Sequence, residues 1–125
     1  PLRLVGSEMC IRDRVNDVLT AMKADSGIEL SSLKVDGGAS ANNLLMQMQA
    51  DISGAPVNRP VCVETTAMGA AYLAGLSVGY WKSTDDIRKN WSVDRTFDPE
   101  ITQNERDSKV RMWKKAVSYS FNWDK

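Results

Sequence analysis

The stretch Val35-Asp36-Gly37-Gly38-Ala39-Ser40-Ala41-Asn42-Asn43 decides how this chain is read. On its left, Leu33-Lys34-Val35-Asp36 has the pattern of a short strand. On its right, Ala41, Leu44, Leu45, Met48 and Ile52 fall on one face of a helix that starts near Ser40 and stops at Gly54. Consecutive glycines at a strand-to-helix junction let a ligand approach the main chain where a side chain would collide. The open N–H groups and dipole of the following helix favour a polar or anionic ligand. Ser40 is a candidate cap, and Asn42 and Asn43 carry amides able to read a base or a ribose. The segment is neither a phosphate loop ending in Gly-Lys-Ser/Thr nor a GxGxxG fingerprint. From its residues alone, the commoner meaning of such a turn is a tight connection.

Outward from this junction the pattern alternates. Val15, Val18, Leu19 and Met22 mark a helix that Gly27 stops. Pro56-Val57-Asn58-Arg59 reads as a second short strand closed by Pro60. Thr65 or Thr66 can cap a third helix, whose face carries Ala67, Ala70, Ala71, Ala74 and Val78 with Gly69, Gly75 and Gly79 added. Side chains that small predict a tightly packed, central helix. Segment 83–91 reads as a short helix and segment 92–102 as a loop. An amphipathic helix from about Glu105 to Trp123 comes last, with Val110, Trp113, Val117 and Phe121 on one side. Helix and strand alternation predicts an α/β layer with parallel strands. Met22, Met46, Met48 and Met112 read as core filler, and Trp81, Trp91, Trp113 and Trp123 as packing anchors. Arg111, Lys114 and Lys115 read as a solvated face.

Composition removes whole classes of function. The chain has 125 residues, a formal net charge of zero and no histidine. Zero balance takes away the electrostatic case for nucleic acid or an anionic membrane. Without histidine, neither Ser-His-Asp nor Cys-His catalysis operates within the chain, and His-containing zinc sites are excluded. Cys10 and Cys62 form no CxxC pair, and two free thiols suit a reducing cytoplasm. No apolar run approaches the roughly 20 residues of a bilayer span. Residues 1–14, PLRLVGSEMCIRDR, share no pattern with the rest of the chain, and SEMCIRDR looks like translated sequencing-adapter material. We therefore expect 1–14 to be a non-native or disordered flank and 15–123 the domain proper.

The segment LKVDGGASANNLLMQMQADISGAPVNRPVCVETTAMGAAYLAGLSVGYW resembles the C-terminal domain of the FGGY carbohydrate kinases, in the actin-like ATPase superfamily. VDGGA with NNLLMQ and QAD is similar to the adenosine motif and its helix. RPVCVETTAMGAAYLAG is similar to the family's ETTALGAAYLAG stretch, with Met68 where leucine is usual. DVLTAMKADSG upstream and WKKAV downstream complete a likeness running from Val15 to about Trp123. The LMQ, QAD and RP-ETT details point to members that phosphorylate glycerol, with pentulose kinases as the alternative.

The resemblance implies a fold, a site and a reaction. The fold would be the C-terminal part of an actin-like, ribonuclease H-like α/β domain: short parallel strands packed with helices in an incomplete sheet. Gly38 would pass its backbone beside ATP or ADP, Asn42 would lie against the adenine, and Gly37 would belong to the same turn. Asp36 is read as orienting the turn and not as catalytic. Glu64 and Thr66 are read as capping or packing residues. The full enzyme would move a phosphoryl group from ATP, with Mg2+, to glycerol held by an upstream domain, and would form a homo-oligomer. The catalytic Asp would lie upstream as well, so the chain alone would be inactive, or at most an adenine-nucleotide-binding or docking module. The superfamily places strands before the first helix that pair with the VDGG strand; without them an open edge favours self-association. Segment 99–106, between Pro99 and Arg106, resembles a surface that docks a phosphotransferase-system regulator in some bacterial members. Its middle departs from that pattern, which favours a plain surface loop.

Overall fold

A computed structural model describes residues 6–122. Residues 1–5 and Trp123, the last of the four tryptophans, lie outside that range. The elements are α1 (Ser7–Ser26), β1 (Leu33–Lys34), a 3-10 turn (Gly38–Ala41), α2 (Asn43–Ser53), β2 (Val57–Pro60), α3 (Thr65–Ser77), α4 (Thr84–Arg88), β3 (Val93–Phe97) and α5 (Gln103–Ser118).

The sheet has the order β1-β2-β3. β1 runs parallel to β2, with Leu33 beside Val57, while β3 runs antiparallel to β2, with Phe97 beside Val57. The expectation of parallel strands therefore holds for one pair and fails for the other. Segment 92–102, expected to be a loop, contains β3. Its residues alternate, but only Phe97 is buried, so the chain around it carries little apolar signal. The strand is held by β2 and by side-chain pairs, Thr96 Oγ1 donating to Asn58 Oδ1 at 2.8 Å among them. No strand among the described residues covers the other edge of β1.

The core is small. Leu45, Met46 and Ala50 of α2 pack with Val57 and Phe97, and Leu33 and Val35 lie against them. α2 thus turns its 45/46/49/50/52 side to the sheet, whereas Leu44, expected on the buried face, is exposed. Met46 fills the core as expected, but Met22 and Met112 are exposed. Phe121 falls beyond α5 and is exposed, and α5 has no buried residue. The helix still has a defined start: Thr102 and Glu105 form a reciprocal capping box. Trp113 ties it to α1 by donating from Nε1 to Asp17 Oδ2 at 3.1 Å.

α1 begins at Ser7, eight residues before Val15, so segment 7–14 is helical and not a disordered flank. Arg12 and Asp13 are buried there as a two-pronged ion pair of 2.9 and 2.8 Å. Gly27 ends the helix in a left-handed conformation, its N–H reaching Lys23 O.

The third helix contradicts its reading as tightly packed and central. Only Gly75 of α3 is buried, and what buries it is Trp81, whose ring lies where a Cβ would stand. Tyr72 meets the same ring edge-on at 5.1 Å. Ala67, Ala70, Ala71, Ala74, Leu73 and Val78 face solvent. Small side chains permit close approach only where another backbone is present, and no element among the described residues lies over this face. The molecule exposes 9090 Å², against roughly 6,700 Å² for a compact monomer of its mass.

Candidate nucleotide site

The site is built at the end of β1. Gly37 adopts φ 77 and ψ 170, a region open in practice to glycine alone, and donates its N–H to Val63 O at 2.7 Å. Gly38 then opens the 3-10 turn. Nothing lies within 4 Å of a Cβ built on either glycine, so the surface outside the turn is clear. Ser40 does not cap α2. It is buried within the turn, and its hydroxyl donates to Gly37 O at 2.7 Å. The cap is Asn42, whose Oδ1 accepts from Leu45 N at 3.2 Å. That bond uses the carbonyl end of the amide and leaves Nδ2 out of the cap.

Gly38 and Asn42 come together on one wall of a cleft of about 290 Å³, with Ala39 and Leu45 beside them. Ser7, Glu8 and Ile11 of α1 form the facing wall. Gly37 does not line the cleft; it sets the direction of the turn from behind. This wall lies at the start of α2, the positive end of the helix dipole, which suits an anion, although the Leu45 N–H there is taken by the Asn42 cap. Glu8 is the one ionisable side chain among the lining residues.

Asp36 is part of a brace and is not aimed at the cleft. Its Oδ2 accepts a hydrogen bond from Thr65 Oγ1, tying the end of β1 to the first residue of α3. This occupies the hydroxyl expected to cap α3. Glu64 stands at the cap position but makes no capping bond through its side chain, and Thr66 is exposed. The sequence pattern does not single out Arg59. This β2 residue reaches Ser40 O at 3.1 Å, Asn43 Oδ1 at 2.8 Å and Asp94 Oδ2 at 2.9 Å. Its only local signal is a charge inside a short strand. Asn43, expected to offer its amide to a ligand, has its Oδ1 taken by that contact and does not line the cleft. Among the described residues no group of three or more His, Cys, Asp or Glu side chains converges to hold a metal ion.

A strand, a glycine turn and a helix N-terminus, next to a parallel strand leading into an ETT helix, define a class. Residues 12–78 match the C-terminal domain of the FGGY family of carbohydrate kinases, and the chain belongs to that family. Within it, the chain is 77% identical over 112 residues to the glycerol kinase of Agathobacter rectalis, covering 90% of this chain and 22% of that protein. It is 59% identical over 110 residues to the glycerol kinase of Caldanaerobacter subterraneus, covering 88% of this chain and 22% of that protein. Among solved structures it resembles Plasmodium falciparum glycerol kinase with ADP, at 32% identity and a TM-score of 0.80, over 91% of this chain and 23% of that one. The xylulose kinase of Lactobacillus acidophilus shares the fold at 15% identity and a TM-score of 0.70, over 92% of this chain and 24% of that one. The chain thus spans about 22% of the length of the curated relatives it matches.

Proposed function

We propose that this chain is the nucleotide-side C-terminal part of a glycerol kinase, the enzyme that converts glycerol and MgATP to glycerol 3-phosphate and ADP. The observation that carries the reading is the 77% identity over 90% of the chain to a glycerol kinase. The cleft supports it by bringing Gly38 and Asn42 to one wall. Phosphoryl transfer is mostly positioning and stabilisation of spread negative charge. Gly38 contributes a bare main chain beside the phosphates, the start of α2 favours their charge, and Asn42 offers its amide to the adenine. Mg2+ is expected to accompany the nucleotide in the whole enzyme. The engagement of Asp36 with Thr65 supports its reading as a brace for the turn and not as the proton acceptor. That carboxylate and the glycerol pocket belong to the larger part of the enzyme. The family match begins at residue 12, three residues before the expected boundary at 15; residues before it are proposed to be foreign, so only the Gly38–Asn42 wall of the cleft, and not the Ser7, Glu8 and Ile11 wall, is assigned to the enzyme's own site. A cytoplasmic, homo-oligomeric enzyme is the corresponding whole, with segment 99–106 a plain surface whose middle departs from the regulator-docking pattern.

Two experiments test this. ADP titrated into the labelled chain should shift the Gly38 and Asn42 resonances, while the chain alone turns over no ATP with glycerol. Joining residues 15–125 to the preceding part of the Agathobacter rectalis enzyme should give glycerol-dependent ADP formation. Turnover by the isolated chain, or a hybrid that prefers a pentulose, overturns the proposal.

A further inference from the structure

We infer that Arg59 is a positioning residue for nucleotide binding, a clamp that holds the Gly38–Ala41 turn and the start of α2 from behind the cleft. The inference rests on the nucleotide reading of Gly38 and Asn42. Arg59 does not line the cleft, so it acts through the turn and not on a ligand. Its side chain is 12% exposed and all three guanidinium nitrogens are used. One terminal nitrogen donates to Ser40 O at 3.1 Å, Ala41 O at 3.5 Å and Asn43 Oδ1 at 2.8 Å. Nε and the other terminal nitrogen both meet Asp94 Oδ2, at 2.9 and 2.7 Å.

The physical need is plain. A 3-10 turn of four residues ends with carbonyls that no later turn satisfies. Arg59 supplies a donor to the Ser40 carbonyl, which the Ala41 carbonyl shares at the longer distance of 3.5 Å. The same nitrogen fixes Asn43, the residue after the cap, and so restrains the backbone from which Asn42 projects. Asp94, delivered by β3, neutralises the guanidinium and sets its plane. A lysine retains the charge but cannot span both groups, because it lacks the planar fork. Arg59 thus couples the weakly patterned strand β3 to the geometry of the nucleotide turn.

The test uses the whole chain with Arg59→Lys, Arg59→Ala and Asn43→Ala. Amide hydrogen exchange across residues 38–42, without nucleotide, should rise about tenfold in Arg59→Lys, the scale expected from losing charge-assisted hydrogen bonds. Exchange within α5 should not change, whereas a general loss of structure would raise it too. ADP affinity, followed at Gly38, should fall by about tenfold, and methylguanidinium should restore part of it to Arg59→Ala. Asn43→Ala removes one leg without touching the Asp94 pair, and should raise exchange in 38–42 by a smaller factor. It decides the matter if the Arg59 variants do not fold. Unchanged exchange at 38–42 in a folded variant, or unchanged ADP affinity, overturns the clamp. If the wild-type chain binds no ADP, the nucleotide reading fails and positioning for nucleotide fails with it.

Discussion

Gly37 and Gly38 are chemically identical neighbours, yet the structure predicts opposite consequences for replacing each with alanine. Gly37 sits at φ 77, ψ 170; an alanine forced into that region costs about 1–3 kcal/mol. If the turn relaxes to escape the strain, the 2.7 Å bond from Gly37 N–H to Val63 O goes, which costs about 1 kcal/mol instead. Alanine also stiffens the unfolded chain, returning about 0.4–1 kcal/mol. The balance for Gly37→Ala is a loss of about 1–2 kcal/mol where the strain is kept and of under about 1 kcal/mol where the turn relaxes. Gly38 has no positive φ and open space at its Cβ position. Gly38→Ala is therefore neutral in stability, or stabilising by up to about 1 kcal/mol. Function should invert that order. The new methyl group of Gly38→Ala stands on the cleft wall where a ligand meets the main chain, and should weaken ADP binding by about tenfold or more. Urea unfolding followed by circular dichroism reads the first quantity. With a slope near 2 kcal/mol per molar urea, Gly37→Ala lowers the midpoint by about 0.5–1 M with the turn strained and by up to about 0.3 M with it relaxed. ADP titration reads the second. Equal destabilisation by the two alanines, or full affinity in Gly38→Ala, would refute the assignment of conformation to one glycine and ligand approach to the other.

Other outcomes turn on single contacts. Asn42→Ala loses the α2 cap and about 1 kcal/mol as well as nucleotide affinity. Asn42→Ser keeps a capping oxygen but has no amide, so it should lose affinity alone; parallel changes in both measurements would contradict this division. The Glu105 carboxyl is held below its ordinary 4.5, first by the backbone N–H of Thr102, then by its hydroxyl, with Lys109 adding attraction against a small desolvation penalty. Its contribution is therefore complete above about pH 4.5 and is lost as pH falls through the lower folded value. Amide shifts of residues 102–106 should report fraying of α5 on acidification, and Glu105→Gln should remove that step. Leu73 is 71% exposed on the uncovered face of α3, so Leu73→Lys should change stability by no more than about 0.5 kcal/mol while reducing aggregation and dye binding. A loss of several kcal/mol would mean that α3 is covered after all.

The features legible in the sequence are those that a local pattern encodes. Glycine stops at 27 and 54, the paired short strands and the existence of α2, though not the side it buries, specify themselves within a few residues. The misreadings share a different cause. Ser40 and Asn42 are both good caps, and the choice between them depends on a 3-10 turn that consumes Ser40 for its own closure. β3 has charged residues in its middle, and its stability comes from pairing with β2, including Arg59 with Asp94 at a separation of 35 residues. α3 carries the composition of a packed helix, but packing needs a partner and none of the described elements supplies one. Arg59 is silent in the sequence because a guanidinium in a four-residue strand has no meaning until the turn it holds is folded back beside it.

These cases separate the chain into a part that supports itself and a part that does not. The nucleotide turn is fixed on three sides by this chain's own groups. Gly37 N–H bonds to Val63, Asp36 accepts from Thr65, and Arg59 holds Ser40 and Asn43 while Asp94 holds Arg59. These donors and acceptors come from β1, β2, β3 and the segments at their ends, with Asn43 at the start of α2 and Thr65 at the start of α3, and none comes from the apolar face of α3. The open edge of β1 and the exposed face of α3 lower stability and invite association, but they do not loosen the turn directly. Preorganisation of the turn and stability of the chain are therefore distinct quantities in this molecule. Gly38→Ala should lower ADP affinity and leave stability in place, while Leu73→Lys should lower self-association and leave ADP affinity in place.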